Sequence, residues 1–344
     1  MGKALVVSAP HQLAYETFDD VALKPDEVRI QTLFSGISAG TEMTQYRGTN
    51  PFMHKHWDEA QRLFVPGEKI SWEYPICNLG YEEVGKIIEL GSDVRDVALG
   101  AHVFGTWGHR THHVANLDYV RPRLMPRDAD PVFGIFSHIG AVALNGTHDA
   151  HIRIGDTVAV FGLGTLGQIV AQAARQSGAR VIGIDLHEAR LAMAQQLGVP
   201  IVLNAREKIA ECVKTLTDGR GADVCIEVSG ASPALNEAIR AVAYSARVVA
   251  MGFFQGEAHG LLLGEEFHHN RVNIVGSQIS GVDPESKYRW DKMRLWQTAI
   301  RLQNESILNL RPLITHRAPF DHAAELFETI DRAPEQVGQA VIEF

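Results

Sequence analysis

Gly162, Gly164 and Gly167 stand in the order G-x-G-x-x-G directly after the apolar run "TVAVF". That spacing makes a phosphate cradle. The first glycine permits a tight turn, the second lets the backbone approach a pyrophosphate, and the third lets a helix pack close to its strand. The helix that begins at Thr165 and Leu166 turns unpaired N–H groups and a positive dipole end toward the phosphates. Asp185 ends the next apolar run, "RVIGID", where a carboxylate accepts hydrogen bonds from both ribose hydroxyls of an adenosine. The same charge repels a 2′-phosphate, so the expected cofactor is NAD rather than NADP. Arg190, a little further on, flanks the acid and weakens that preference. Ser229, in "EVSG", is placed with the same cofactor-binding set.

Histidines make a second group. His109, His112 and His113 lie in "GHRTHHV", at offsets that would suit a helix, but the segment reads as strand and loop. On a strand His109 and His113 share a face and His112 opposes them, so surface or cleft-lining roles are expected rather than metal ligation. The pair His268-His269 has no clear role. Between Gly48 and Gly80 an unusually long connection carries Phe52, His54, Lys55, His56, Trp57 and Arg62. Sugars stack on aromatic rings, and lysine or arginine holds carboxylate or phosphate. Lys55 and Trp57 are therefore expected substrate contacts, with Arg289 from a second set of Lys287, Arg289, Trp290 and Arg294. The bland alternative is a subunit contact or a cover for the β domain.

The elements that must position these residues fall into two patterns. To about Pro126, short strand-like runs alternate with glycine and proline, as in "EVRIQTLFSGI" and "EEVGKIIELG", which predicts an irregular β domain. Within it "HKHWDEAQRLF" reads as one or two helical turns. From about Asp149 to Val282 the apolar runs "TVAVFG", "RVIGID", "PIVLN", "DVCIEVSG", "RVVAMGF" and "VNIVGSQ" alternate with helical stretches. That alternation predicts a parallel sheet covered by helices on both faces. The tail from "LITHRAPFDHAAELFETI" to "GQAVIEF" is too short for its own domain and is expected to pack back on the first.

Bulk properties bound the function. The chain of 344 residues suits two domains rather than one core. A formal net charge of −9 argues against nucleic-acid binding, which needs a basic face. No apolar run is long enough to span a membrane, and the N-terminal stretch lacks the plan of a secretory signal. The 3 cysteines, Cys77, Cys212 and Cys225, are widely spaced, so neither a disulfide framework nor a four-cysteine zinc site is available. A cytoplasmic protein with a small-molecule substrate fits best.

The cradle "GLGTLG", together with "SGISAGTE", "LGYEEVGKIIELGSDV" and "LITHRAPFDHAAELFE", resembles the medium-chain dehydrogenase/reductase superfamily, the alcohol dehydrogenase-like group, over nearly the whole chain. The resemblance implies an α/β protein with a GroES-like β domain, residues 1–148 and 285–344, and a doubly wound parallel Rossmann sheet, residues 149–284. It also implies a cleft between them with the nicotinamide at its floor, and homodimers or homotetramers.

The departures concern metal. Zinc members read G-I-C-G-T-D in the first motif. Here the stretch is Gly36-Ile37-Ser38-Ala39-Gly40-Thr41-Glu42, and neither Ser38 nor Ala39 replaces a thiolate. The usual G-H-E is Gly80-Tyr81-Glu82, and the third ligand position falls on His138 in "HIGAVALNG". "GAHVFGTWGHRTHHVANLDYV" lacks the cysteine lobe of the structural zinc. The motifs are similar to a zinc-less subgroup that includes the bacteriochlorophyllide hydroxyethyl dehydrogenases. No metal is expected, although Glu42, Glu82 and His138 form a residual carboxylate–imidazole set.

Without a metal to polarise the substrate oxygen, oxidation of an alcohol needs a general base and reduction of a ketone an acid. His138 is expected in that role, Tyr81 as a hydrogen-bond donor to the substrate oxygen, Glu82 as support for a neighbouring arginine or histidine, and Thr41 as a relay near the nicotinamide ribose. Ser38 is grouped with the substrate contacts. The resulting expectation is a zinc-independent, NAD-dependent oxidoreductase acting on a secondary alcohol or ketone of a sugar, cyclitol or hydroxy acid. A quinone or enone reductase, a redox-neutral isomerase or lyase with tightly held NAD, and an idle binding protein remain alternatives.

Overall fold

The computed structural model describes residues 1–67 and 69–344. From the N-terminus come β1 (Gly2–Ala9), β2 (Gln12–Phe18), β3 (Glu27–Ile37), α1 (Thr41–Arg47), β4 (His56–Asp58), β5 (Leu63–Val65), β6 (Glu83–Leu90), β7 (His102–Gly105), β8 (His112–Asn116), α2 (Leu117–Val120) and α3 (Phe136–Asp149). An alternating run follows: β9 (Thr157–Phe161), α4 (Thr165–Gln176), β10 (Arg180–Asp185), α5 (Glu188–Gln196), β11 (Ile201–Asn204), α6 (Ile209–Leu216), β12 (Ala222–Glu227), α7 (Ser232–Ala241), β13 (Val242–Ala250) and β14 (Asn273–Gly276). The chain ends with α8 (Lys292–Asn304), β15 (Ile314–Pro319), α9 (Ala323–Arg332) and β16 (Gln339–Glu343).

Two compact units result, Met1–His138 with Arg311–Phe344, and Ile139–Leu310. These bounds differ from the sequence reading at both ends, because most of α3 and all of α8 belong to the second unit. The reason is local packing. A Cβ on Gly140 of α3 would lie 2.8 Å from Ala299 Cβ of α8, so the two helices touch through small residues.

In the second unit the strand order is β11-β10-β9-β12-β13-β14, and every pairing is parallel. The central strand β9, Thr157–Phe161, is buried throughout. That is what a parallel sheet with covered faces requires. The order reverses at β9, the switch point beside which a doubly wound sheet presents its ligand crevice.

In the first unit β15-β16-β3-β6-β7 form one sheet, with β8 also paired to β3. β16 is antiparallel to β3, which is how the C-terminal tail joins the N-terminal β unit. Leu5, Val7, Ile37, Met43, Leu79, Phe327 and Ile342 belong to one of its buried clusters.

The insertion departs from the expected helical turns. Residues 56–65 form an antiparallel hairpin, β4 to β5, with Trp57 opposite Phe64 and their rings 4.9 Å apart. Asp58 Oδ1 accepts the Gln61 N–H at 2.9 Å, closing the turn. A cross-strand aromatic pair and an aspartate turn outweigh helix propensity here.

Candidate functional site

The glycine turn follows β9 directly. Gly162 has φ +91°, a conformation open to glycine, and a Cβ on Gly167 would lie 1.9 Å from Gly162 O. Backbone crowding of that degree leaves no room for any side chain at position 167. Gly164, extended, caps α4, and Thr165 and Leu166 form the half-exposed first turn, so their N–H groups point outward from the helix start. Asp185 is buried at the tip of β10; Oδ2 accepts the Leu163 N–H at 2.7 Å and Oδ1 the His187 N–H at 2.9 Å. These bonds orient the carboxylate against the glycine turn and leave acceptor capacity on both oxygens. Arg190 Nη1 lies 3.8 Å from Asp185 Oδ2. Ser229 is exposed just beyond β12, and its N–H donates to Glu227 Oε1 at 2.8 Å. Glu227 also takes the Ser229 hydroxyl and the Gly230 N–H, so a buried carboxylate fixes this turn. Glycine cradle, helix start and acid thus sit together within one unit, and the cradle fits a dinucleotide pyrophosphate.

The other expected residues lie in the first unit, on three segments: the end of β3 with the start of α1, the turn into β6, and the first turn of α3. The Tyr81 hydroxyl donates to Ser38 Oγ at 2.5 Å and is also hydrogen-bonded to Thr41. The His138 ring meets the Tyr81 ring edge-on, centroids 4.8 Å apart. Burial, then the Glu82 and Glu42 carboxylates, push the Tyr81 hydroxyl far above the ordinary tyrosine range, so it remains protonated and donates.

Beneath them lies a cluster that the sequence did not reveal. Glu42, Glu82, Glu83 and His109 are all buried. Glu42 Oε1 accepts the Ser38 N–H at 2.9 Å, and Glu42 Oε2 pairs with His109 Nε2 at 2.7 Å. On the other side of the imidazole, Ser35 Oγ stands 2.6 Å from Nδ1 and donates to Glu83 Oε1 at 3.0 Å. Glu83 Oε2 accepts the Trp107 N–H at 2.7 Å. Burial opposes charge on His109, but Glu42 and then Glu83 outweigh it and raise the imidazole above its ordinary range. Burial pushes Glu83 up to about 7 against the pull of His109. Glu82 rises well above the carboxylate range through burial and the Glu42 and Glu83 charges.

Two expectations change accordingly. Glu82 holds neither arginine nor histidine: its Oε2 accepts from Gln339 Nε2 at 3.2 Å, and its buried Oε1 has no hydrogen-bond partner. His109 neither lies on a strand with His113 nor faces solvent. It precedes β8, where its N–H donates to Leu79 O and its carbonyl accepts from Leu5 N, both at 2.8 Å, and these bonds turn its ring inward. His113 stacks on Trp107 at 5.6 Å, and burial with Arg110 lowers it to about 4, so it is neutral. His112 pairs with Asp20 at 2.9 Å, and His268 and His269 are exposed. The detectable signal was the doubled acid of "GYEEVG": a charged residue at each of two consecutive buried positions needs partners.

A zinc ion does not fit this donor set: the positions of the family's thiolate and imidazole ligands carry the Ser38 and Tyr81 hydroxyls, and these bond to each other. Among the described residues no three His, Cys, Asp or Glu side chains are grouped to hold a metal. The substrate candidates scatter more widely. Trp57 is half-buried in an aromatic group with Phe52 and Phe64, and Phe52 stacks on Trp72 at 4.7 Å. Lys55 is exposed in the same insertion. Arg289 is exposed in the second unit, its guanidinium 5.7 Å from the Tyr288 ring. No helix among the described residues is long and apolar enough to cross a membrane.

Residues 165–296 match the family model described as zinc-binding dehydrogenase. The chain is 34% identical over 342 residues to D-guloside 3-dehydrogenase of Shigella flexneri, covering 97% of each. Among solved structures it is similar to galactitol-1-phosphate dehydrogenase of Escherichia coli, with a TM-score of 0.79 and 22% identity over 99% of this chain and 100% of that one. It is also similar to a zinc-binding dehydrogenase of Sinorhizobium meliloti 1021 bound to NADP, with a TM-score of 0.80 and 19% identity over 100% and 99% of the two chains.

Proposed function

The chain belongs to the medium-chain dehydrogenase/reductase superfamily, and from that premise we propose that it is a metal-independent, NAD-dependent oxidoreductase interconverting a secondary alcohol and a ketone on a polyhydroxylated substrate, with a glycoside first in line. The observation that carries the reading is the Tyr81–Ser38 hydroxyl pair, a proton-bearing donor where zinc members have ligands. The glycoside follows from the guloside relative and from the aromatic insertion.

Gly162, Gly164 and Gly167 would hold the pyrophosphate, and Asp185 the adenosine ribose. A bound nicotinamide supplies a two-electron hydride acceptor or donor. This chain's residues manage the proton and the oxygen. Tyr81, which keeps its proton, donates through its hydroxyl to Ser38 Oγ and leaves the Ser38 proton free to donate to the substrate oxygen. That donation steadies negative charge on the oxygen as the carbinol carbon loses or gains hydride. His138 takes the hydroxyl proton in oxidation and returns it in reduction.

The test is a panel of methyl glycosides, alditols and hydroxy acids assayed with NAD⁺ and NADP⁺ by absorbance of the reduced cofactor, with metal analysis and chelator treatment of the same preparation. Expected are turnover with a glycoside and NAD⁺, sub-stoichiometric metal, and no loss on chelation. Turnover confined to quinones or enones, or activity that chelators abolish and zinc restores, would overturn the reading.

A further inference from the structure

The buried cluster joins two separate segments that each carry chemistry. At one end Glu42 grips the Ser38 backbone N–H. At the other, Glu83 Oε1 accepts the N–H of Glu82, the residue after Tyr81, at 3.2 Å. Between them stand His109 and Ser35. Resting on the reading that Ser38 and Tyr81 handle the substrate oxygen, we infer that the chain Glu42–His109–Ser35–Glu83 is an internal clamp that fixes those two groups, and that His109 is its positioning residue.

Donor counting supports the inference. Glu42 receives Ser38 N–H and His109 Nε2, while Glu83 receives Ser35 Oγ–H, Glu82 N–H and Trp107 N–H. Because Ser35 gives its one proton to Glu83, it can only accept at His109 Nδ1. With Glu42 and Glu83 both acting as acceptors, the bonds run in a consistent direction when both imidazole nitrogens carry protons. A cation between two carboxylates supplies what each needs when buried: a strong donor and a compensating charge.

The packing around the imidazole is equally specific. Glu42 reaches it from α1, Glu83 from β6 and Ser35 from β3, while Phe327 of α9 presents a ring edge at 6.0 Å. The Glu42 charge is also felt by Glu82 and Tyr81. Gly80, at φ +97°, leaves the room: a Cβ there would fall 2.7 Å from His109 Cε1 and 2.9 Å from Glu83 Oε1. The glycine of "GYE" is thus needed for the imidazole to enter. The clamp ties together the two segments that zinc members join through shared metal ligands, and all of its side chains are buried.

The test compares His109→Gln, long enough to reach Glu42, with His109→Asn, which reaches only toward Ser35. Both are assayed in the full chain with methyl D-guloside and NAD⁺, beside Tyr81→Phe. Expected is a kcat loss of roughly 10- to 100-fold for His109→Asn, the cost of losing an orienting partner. His109→Gln should recover part of it, with KM for NAD⁺ and NADH affinity unchanged in both. If Tyr81→Phe lowers kcat while both His109 variants match wild type, the clamp is wrong and the oxygen assignment survives. If Tyr81→Phe is itself silent, the assignment beneath the clamp is wrong. Should the variants misfold, ¹⁵N-histidine NMR of the wild-type chain decides: two protonated nitrogens on His109 at neutral pH are expected, and a neutral ring would overturn the inference.

Discussion

Replacing Asp185 by serine removes a carboxylate that is oriented before any ligand arrives. The Leu163 and His187 N–H groups hold it at 2.7 and 2.9 Å, and Arg190 stands 3.8 Å away. Ribose hydroxyls donating to an ionised acceptor contribute about 1.5–3 kcal/mol, so the variant should bind NADH roughly 10- to 100-fold more weakly. The opposite holds for NADPH. A 2′-phosphate about 6 Å from a carboxylate, at an effective dielectric near 20, meets about 3 kcal/mol of repulsion per unit charge. Serine abolishes that repulsion and frees Arg190 to meet the phosphate. The ratio of the two affinities should therefore move by at least roughly 10²-fold toward NADPH. Equilibrium titrations of both reduced cofactors, followed by nicotinamide fluorescence, measure it. Asp185→Asn serves as a second variant: it removes the charge and keeps one acceptor, so only one of the Leu163 and His187 N–H groups retains its partner. A folded Asp185→Ser protein with an unchanged affinity ratio would remove Asp185 from the ribose, and with it the argument for NAD.

Gly167→Ala places a methyl 1.9 Å from Gly162 O, so NADH affinity should fall at least roughly tenfold, about 1.4 kcal/mol, by the same titration. His138→Ala should lower kcat while leaving NADH affinity intact; near-normal turnover would make His138 a structural residue of the α3 start. Glu83 is protonated in the folded chain up to about 7 but ionises near the ordinary 4.5 when unfolded. Its raised value therefore lowers stability as pH rises through that window, by about 3 kcal/mol in all. His109 acts in the same sense: its raised value adds stability below its ordinary 6.5, which is lost as pH rises through the raised one. Melting curves from pH 5 to 8 should show wild type losing ground to Glu83→Gln as pH climbs, and parallel curves would refute the assignment.

The second unit was legible in the sequence because its signals are local. Six short apolar runs alternate with helical periodicity, and the pairings of β9 through β14 are the parallel ones that such alternation requires. The glycine turn was legible for the same reason, since Gly162, Gly164 and Gly167 act on their own strand and helix. The hairpin of residues 56–65 was misread because its cause is a cross-strand contact between Trp57 and Phe64, invisible to a helical count. His109 was misread for a deeper reason. Its inward turn depends on backbone bonds to Leu5 and Leu79 and on carboxylates contributed by two distant segments. Histidine spacing within "GHRTHHV" carries none of that information. Gly80 could have been explained only once the imidazole beside it was known.

The charge balance of the cluster bears directly on how an oxygen can be activated above it. Glu42 and Glu83 flank a single imidazole, Glu82 is close enough to feel both of their charges, and all are buried. With every carboxyl ionised, the group would carry an uncompensated negative charge in a poorly solvated place, at a cost of several kcal/mol per ion. The protein therefore holds protons more tightly there: burial and the neighbouring carboxylates raise Glu82 well above the carboxylate range, and burial raises Glu83 to about 7. Each proton retained also serves the oxygen above. The Glu82 and Glu42 charges raise the Tyr81 hydroxyl, which means they oppose negative charge at that spot. An alkoxide growing on a substrate held by Ser38 would meet the same opposition. The raised proton affinity of Glu82 and the pairing of Glu42 with His109 both act against it. On the proposed metal-free reading, the polarity that zinc would impose from outside would be approached by lowering the negative charge underneath, so that an acid-rich cluster and a hydroxyl donor can share one site.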